Sequence, residues 1–213
     1  MSSKSFKSHK HNSYEEYINQ QSQHMNSMYR TARKSYEPYY ERILEDFSDH
    51  DIKNILCVGA RDPSEVNFFR EKGLNAIGID LFSADQSVIK VLDMHIIEQA
   101  FSENEFDIIF SCHSLEHSVR PDIVLGGIRK ISKYGAFIVL PLCESPHKKD
   151  PVVFSFMEKA GDEGDTSVTS EEAQTDFQEI LGNECLLSGF SQLPQLPDKD
   201  DGFWFSILWN KAK

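Results

Sequence analysis

The stretch Asn54 to Leu81, NILCVGARDPSEVNFFREKGLNAIGIDL, decides the fold. Ile55 to Val58 and Ala76 to Ile79 are short apolar runs bounded by polar residues or glycine, the pattern of parallel strands covered on both faces. Between them lies a helix start: Asp62 as N-cap, Pro63 at the first helical position and Glu65 three residues after the cap, completing a capping box. The unit is strand, turn, helix, strand, with the amide-rich helix end facing whatever sits beyond the first strand. Asp80 closes the second strand 21 residues after Gly59, the spacing at which α/β nucleotide sites grip a ribose diol.

What the turn lacks narrows the ligand. A dinucleotide site places glycines at the first, third and sixth positions so that backbone can approach a pyrophosphate, but here those positions are Gly59, Arg61 and Ser64. Two side chains obstruct that approach. S-adenosylmethionine has no phosphate and presents a carboxylate and a sulfonium, so one tight glycine turn and a helix N-terminus suffice. Taken alone, the turn is equally compatible with a βαβ unit that binds nothing.

The segment Phe106 to Leu142, FDIIFSCHSLEHSVRPDIVLGGIRKISKYGAFIVLPL, adds an FD start, an apolar strand, an LEH turn, a helix ending at glycine and a last apolar strand, in that order. Over residues 52 to 142 the chain thus resembles the class I S-adenosylmethionine-dependent methyltransferases, as a GAR-loop variant of the methyltransferase type 11-like family. It departs from the usual GxGxG loop, which reads GARDP here. The resemblance implies an α/β, Rossmann-like, seven-stranded and mostly parallel sheet with helices on both faces and an antiparallel C-terminal strand. The aromatic run Phe203 to Trp209, after a turn at Asp201 and Gly202, is the candidate for that strand. It further implies S-adenosyl-L-methionine as cofactor, held by Gly59, Arg61 (toward the methionine carboxylate), Asp80, Leu81, Asp93, Met94 and Ser111. Asp93 and Met94 follow the third strand, Ile89 to Leu92, where the family places an acid for the adenine amine and an apolar residue against the ring. The alternative for Asp93 is a helix cap, since a polar helix containing Glu98 and Gln99 follows it.

Methyl transfer from a sulfonium is an in-line displacement; a hydroxyl acceptor must also lose a proton. Histidine suits that task, and His117, with His113 as a weaker alternative, flanks the turn after strand four; a helical turn would put both on one face. A zinc reading of the pair fails on spacing: the metalloprotease motif sets its glutamate beside the first histidine, whereas Glu116 precedes the second, and no third ligand is evident. No metal is expected. His147 is a separate candidate base or substrate contact. The expected acceptor is a small-molecule or carbohydrate-like hydroxyl. Rival readings are a non-catalytic module that binds S-adenosylmethionine or S-adenosylhomocysteine, and a nicotinamide-dependent oxidoreductase, which Arg61 and the terminal strand disfavour.

With 213 residues the chain has room for one α/β domain, residues 51–213, behind a disordered tail at 1–13 and a helical extension or lid at 14–50. The extension carries six of the seven tyrosines, and its pattern predicts two helices broken near Ser35 to Pro38 that cover the cofactor and matter more for turnover than for folding. Gly161 to Thr169 reads as an acidic loop and Ser170 to Leu181 as a helix. Neither a run of eighteen apolar residues nor a signal-like apolar segment occurs, so a cytoplasmic protein without membrane attachment is expected. Cys57, Cys112, Cys143 and Cys185 show no paired spacing and read as reduced structural thiols. From Asp150 to Asp201 thirteen acidic residues face two lysines, almost the whole net charge of −12, which disfavours a nucleic-acid partner. Nothing in the sequence fixes an oligomeric state.

Overall fold

The computed structural model describes residues 13–24, 32–60, 63–83, 85–118, 120–141, 175, 178–182, 185–186 and 204–211. Arg61, Asp62, Cys143, His147, the acidic loop at 161–169, most of the tail and most of the helix expected at 170–181 lie outside these residues.

Five strands run parallel: β1 (Asn54–Val58), β2 (Asn75–Asp80), β3 (Ile89–Val91), β4 (Phe106–Cys112) and β5 (Ser132–Pro141), in the spatial order β3-β2-β1-β4-β5. Beyond β5, β7 (Trp204–Asn210) pairs antiparallel to it, and β6 (Cys185–Leu186) pairs antiparallel to β7. Alternate residues of each inner strand serve two cores. Ile55 and Cys57 join Ile108, Phe110, Phe137 and Val139 on one face, whereas Leu56 and Val58 join Ile109, Ala136 and Ile138 on the other. Both faces being apolar is why these strands read as continuous hydrophobic runs.

The first face is covered by α2 (Ala32–Asp46) and α3 (Ser64–Glu71), the second by α4 (Ile97–Ala100) and α5 (Pro121–Ile131). The N-terminal helices divide differently from the expected break: α1 is Tyr14–His24, and α2 runs through Pro38. A proline inside a helix costs about 3 kcal/mol. Pro38 is exposed, and the next residues offset that cost by burial: Tyr39, Tyr40, Ile43 and Phe47 are all core residues. The Tyr40 ring lies 5.1 Å from Phe68, 5.7 Å from Phe69 and 5.3 Å from Phe110, so α2 is part of the first core rather than a cover over it.

Two further local expectations shift. Helix α3 begins at Ser64 with Pro63 as its N-cap residue, and the buried Glu65 lies against the Cys57 thiol. Burial first, and then the Glu65 carboxylate, push that thiol well above its ordinary range, which leaves Cys57 an inert core group. Helix α5 stops at Ile131, short of the glycine expected to end it, because Gly135 belongs to β5. A Cβ at Gly135 would lie 1.8 Å from the Trp209 carbonyl oxygen, so β7 can approach β5 only at a glycine.

The FD aspartate acts at the amino edge of the sheet. Asp107, buried in β4, accepts from the Lys53 and Asn54 N–H groups, each at 2.8 Å, and so fastens the entry of β1 to β4. Asp107→Ala is expected to cost about 2–3 kcal/mol, since two donors lose a charged acceptor, and to lower Tm by roughly 5–10 °C. Ligand affinity at the opposite edge should not change. A melting temperature equal to wild type would show that the bonds are idle.

Candidate functional site

Ligands of open parallel sheets bind outside the carboxyl ends of the strands, where the strand order reverses. Here that point lies between β1 and β4. A row of short bonds builds the edge. The Gly59 and Ala60 N–H groups both donate to Ile79 O (2.8 and 3.0 Å), tying the end of β1 to β2; Leu92 N donates to Asp80 O (2.9 Å), tying β2 to β3; and His113 N donates to Val139 O (3.1 Å), tying β4 to β5.

Gly59 has φ +79°, a conformation open to glycine, and a Cβ there would sit 2.1 Å from the Ser114 Cβ. Ser114 occupies that space for a reason. Its hydroxyl donates to Val58 O at 2.8 Å and pairs with the Ser111 hydroxyl at 2.8 Å, so the chain after β4 is clamped directly onto the turn after β1. Ser111 is thereby placed in the edge, buried, with its hydroxyl proton donated to Ser114 in the clamp. Asp80 ends β2 at 9 % exposure, its Oδ1 accepting from Phe82 N at 3.0 Å, and Leu81 follows half-buried.

Asp93 follows β3 and caps the 3-10 turn Met94–Ile96. Its Oδ1 accepts from His95 N at 2.9 Å and lies 2.6 Å from His95 Nδ1, while Oδ2 accepts from the Tyr14 hydroxyl of α1. The other ring nitrogen, His95 Nε2, is 2.8 Å from the Ser118 hydroxyl. Burial of the Asp93 carboxyl opposes ionisation, but the bonds from His95 and Tyr14 together outweigh it and hold the group down at about 2. Partial desolvation of its hydroxyl, on a side chain that is 48 % exposed, and the Asp93 carboxylate push Tyr14 above its ordinary range. Because the Asp93 value is depressed, its stabilisation is complete above the ordinary aspartate value of about 4 and is lost as pH falls toward 2. Met94 is buried beside it and joins the second core.

The turn after β4 differs from the helical form expected for it. His113 has φ +53° and precedes a single 3-10 turn, Leu115–His117, in which the His117 N–H donates to Ser114 O at 3.1 Å. The i,i+4 geometry that would stack the two imidazoles on one helical face is therefore absent, although both half-buried rings remain at the carboxyl edge. Among the described residues, no group of three or more His, Cys, Asp or Glu is arranged to hold a metal ion. No helix among them is long and apolar enough to cross a membrane.

Sequence reasoning missed Ser114, Ser118, His95 and Tyr14. The first three stand inside or beside the motifs, where a serine three residues from Ser111 or a histidine two after Asp93 was a readable signal. The Tyr14 contact spans 79 residues and had none.

No family model matches the chain, and no curated protein matches it in sequence. Solved structures match its fold. A Burkholderia thailandensis 1,6-didemethyltoxoflavin-N1-methyltransferase, with bound 1,6-didemethyltoxoflavin and S-adenosylhomocysteine, superposes with a TM-score of 0.66 at 11 % identity, over 91 % of this chain and 88 % of that one. Haemonchus contortus phosphoethanolamine N-methyltransferase 2, in complex with phosphomonomethylethanolamine and S-adenosylhomocysteine, gives 0.60 at 12 %, over 94 % of this chain and 60 % of that one. The [4+2]-cyclase SpnF gives 0.57 at 10 %, over 86 % and 84 %. The fold is that of the class I S-adenosylmethionine-dependent methyltransferases.

Proposed function

We propose that the chain is a methyltransferase that uses S-adenosyl-L-methionine to methylate a hydroxyl of a small-molecule or glycan-type acceptor, with the seven-stranded class I domain in its GAR-loop, type 11-like form. The observation that carries the reading is Asp80, a carboxylate held at the end of β2 next to the point where the strand order reverses. The residues at this edge fit the cofactor's chemistry. Asp80 offers an anionic acceptor to a ribose diol, with Leu81 beside it; Asp93 offers an acceptor to the adenine amine, with Met94 as apolar neighbour; Gly59 keeps the turn after β1 tight, and Arg61 is assigned to the methionine carboxylate. Ser111 acts indirectly, through the clamp that fixes this turn. When bound, the cofactor supplies an electrophilic methyl group. His117 is assigned to take the acceptor's proton, with His113 as the weaker candidate, because an imidazole at the end of β4 stands beside the reversal point. Helix α1 is assigned as a cover, while α2 is counted with the catalytic domain.

The second reading is a non-catalytic module that binds S-adenosylmethionine or S-adenosylhomocysteine; the [4+2]-cyclase among the fold neighbours, an enzyme itself, bears only on whether this fold is tied to methyl transfer. Release of S-adenosylhomocysteine from S-adenosylmethionine in the presence of a hydroxyl acceptor separates the two readings.

Asp80→Ala is expected to weaken S-adenosylhomocysteine binding by about 1.5–3 kcal/mol, the worth of hydrogen bonds to a charged carboxylate. Calorimetry showing unaltered affinity, in a variant whose melting temperature confirms that it is folded, rejects the assignment.

A further inference from the structure

We infer that Tyr14 and the cofactor share the Asp93 carboxylate, which makes Tyr14 a positioning residue through which α1 docking and cofactor binding reinforce each other. The inference rests on the cofactor reading above. A carboxylate has about two lone-pair directions on each oxygen. On Asp93, Oδ1 has both taken, by His95 N and by His95 Nδ1, whereas Oδ2 accepts from Tyr14 and keeps one direction for an incoming N–H. The two partners divide the work. His95, anchored at its far nitrogen by Ser118, fixes the carboxylate plane; Tyr14 takes one acceptor direction of Oδ2, leaving the other to the ligand, and steadies the carboxylate from the α1 side.

Tyr14 is itself held by local sequence. Ser13 Oγ accepts from Glu16 N at 3.1 Å, a side-chain N-cap that sets Tyr14 at the first helical position of α1. Its ring meets His95 edge-on, 6.4 Å between centroids at 80°. Helix α1 has only 11 residues, too few to be stable alone in water, so its order depends on what it docks against. A ligand amine on Oδ2 and a docked α1 therefore each lower the ordering cost of the other, and the coupling is reciprocal.

The probes are S-adenosylhomocysteine and S-inosylhomocysteine, whose base carries a carbonyl in place of the amine, titrated calorimetrically into the full chain. The wild type is expected to prefer the adenine compound, Asp93→Asn to lose the preference, and Tyr14→Phe to reduce it by about three- to tenfold, the worth of one hydrogen bond. A merely structural role for Tyr14 would weaken both ligands alike and leave the ratio intact. Hydrogen exchange gives the reverse direction: S-adenosylhomocysteine should slow exchange across Tyr14–His24 in the wild type and not in Tyr14→Phe. Absence of S-adenosylhomocysteine binding by the wild type overturns the cofactor reading and this inference with it. Binding by the wild type, with an unchanged preference and unchanged α1 protection in Tyr14→Phe, overturns the inference alone.

Discussion

A chain that begins at Asp51 is expected to lose cooperative folding. The four side chains it would lack from the first core, Tyr39, Tyr40, Ile43 and Phe47, are between 0 and 5 % exposed. Burying each is worth about 1.5–3 kcal/mol, so the deletion removes about 6–12 kcal/mol. The whole stability of a domain is about 5–15 kcal/mol. Loss of α2 also uncovers Phe68, Phe69 and Phe110, whose rings pack against Tyr40 in tilted and edge-on contacts. A chain that begins at Ala32 keeps all of these contacts and should melt cooperatively within a few degrees of the full protein, on the order expected for losing one exposed helix. Thermal melts of the two truncations decide the matter, and a sharp, native-like transition in the shorter one would contradict the placement of α2 in the core. The sequence pattern suggests a cover at residues 14–47 that matters more for turnover than for folding; the burial of Tyr39, Tyr40, Ile43 and Phe47 leaves α1 as the segment to which we assign that role.

Replacing His117 is expected to have the largest effect on catalysis. If its imidazole takes the acceptor's proton, His117→Asn should lower turnover by about 10²–10⁴ while leaving S-adenosylhomocysteine affinity nearly intact, because the loss belongs to the transition state. His113→Asn should have a smaller effect, and asparagine is the informative substitution there. His113 sits at φ +53°, a conformation asparagine tolerates, so the variant removes the imidazole without straining the turn. A structural role for His117 leaves another signature: the 3-10 turn it closes would loosen, and melting temperature and cofactor affinity would fall together. Turnover is read as S-adenosylhomocysteine release on a hydroxyl acceptor. Full activity in both variants would leave positioning of the two substrates as the mechanism, without a histidine base.

Strands β1, β2, β4 and β5 were legible because a strand buried on both faces shows as an apolar run, and the Asp80 spacing was legible because a βαβ unit has a nearly fixed length. What escaped depended on tertiary context. Pro38 reads as a helix break until the burial of the residues after it is known. Glu65 reads only as a cap partner, whereas its burial beside Cys57 depends on the packed sheet. Gly135 reads as a helix terminator, whereas its real constraint is the Trp209 backbone far along the chain. At the site, Gly59 reads as a tight turn and Ser114, three residues after Ser111, lies within the motif, but only the fold shows that Ser114 fills the space above Gly59. The Tyr14 contact with Asp93 joins segments that no local pattern could connect.

The β5 to β7 pairing bears on how the protein is made. About 60 residues separate Pro141 from Trp204, and at roughly 5–20 residues per second the ribosome needs several seconds to synthesise them. From its emergence until β7 joins, β5 has β4 on one side and an open row of backbone donors and acceptors on the other, flanked by Phe137, Ile138 and Val139. Such an edge is a template for pairing with a second nascent chain on the same message. Slowing translation between codons 142 and 203 should therefore raise co-translational aggregation.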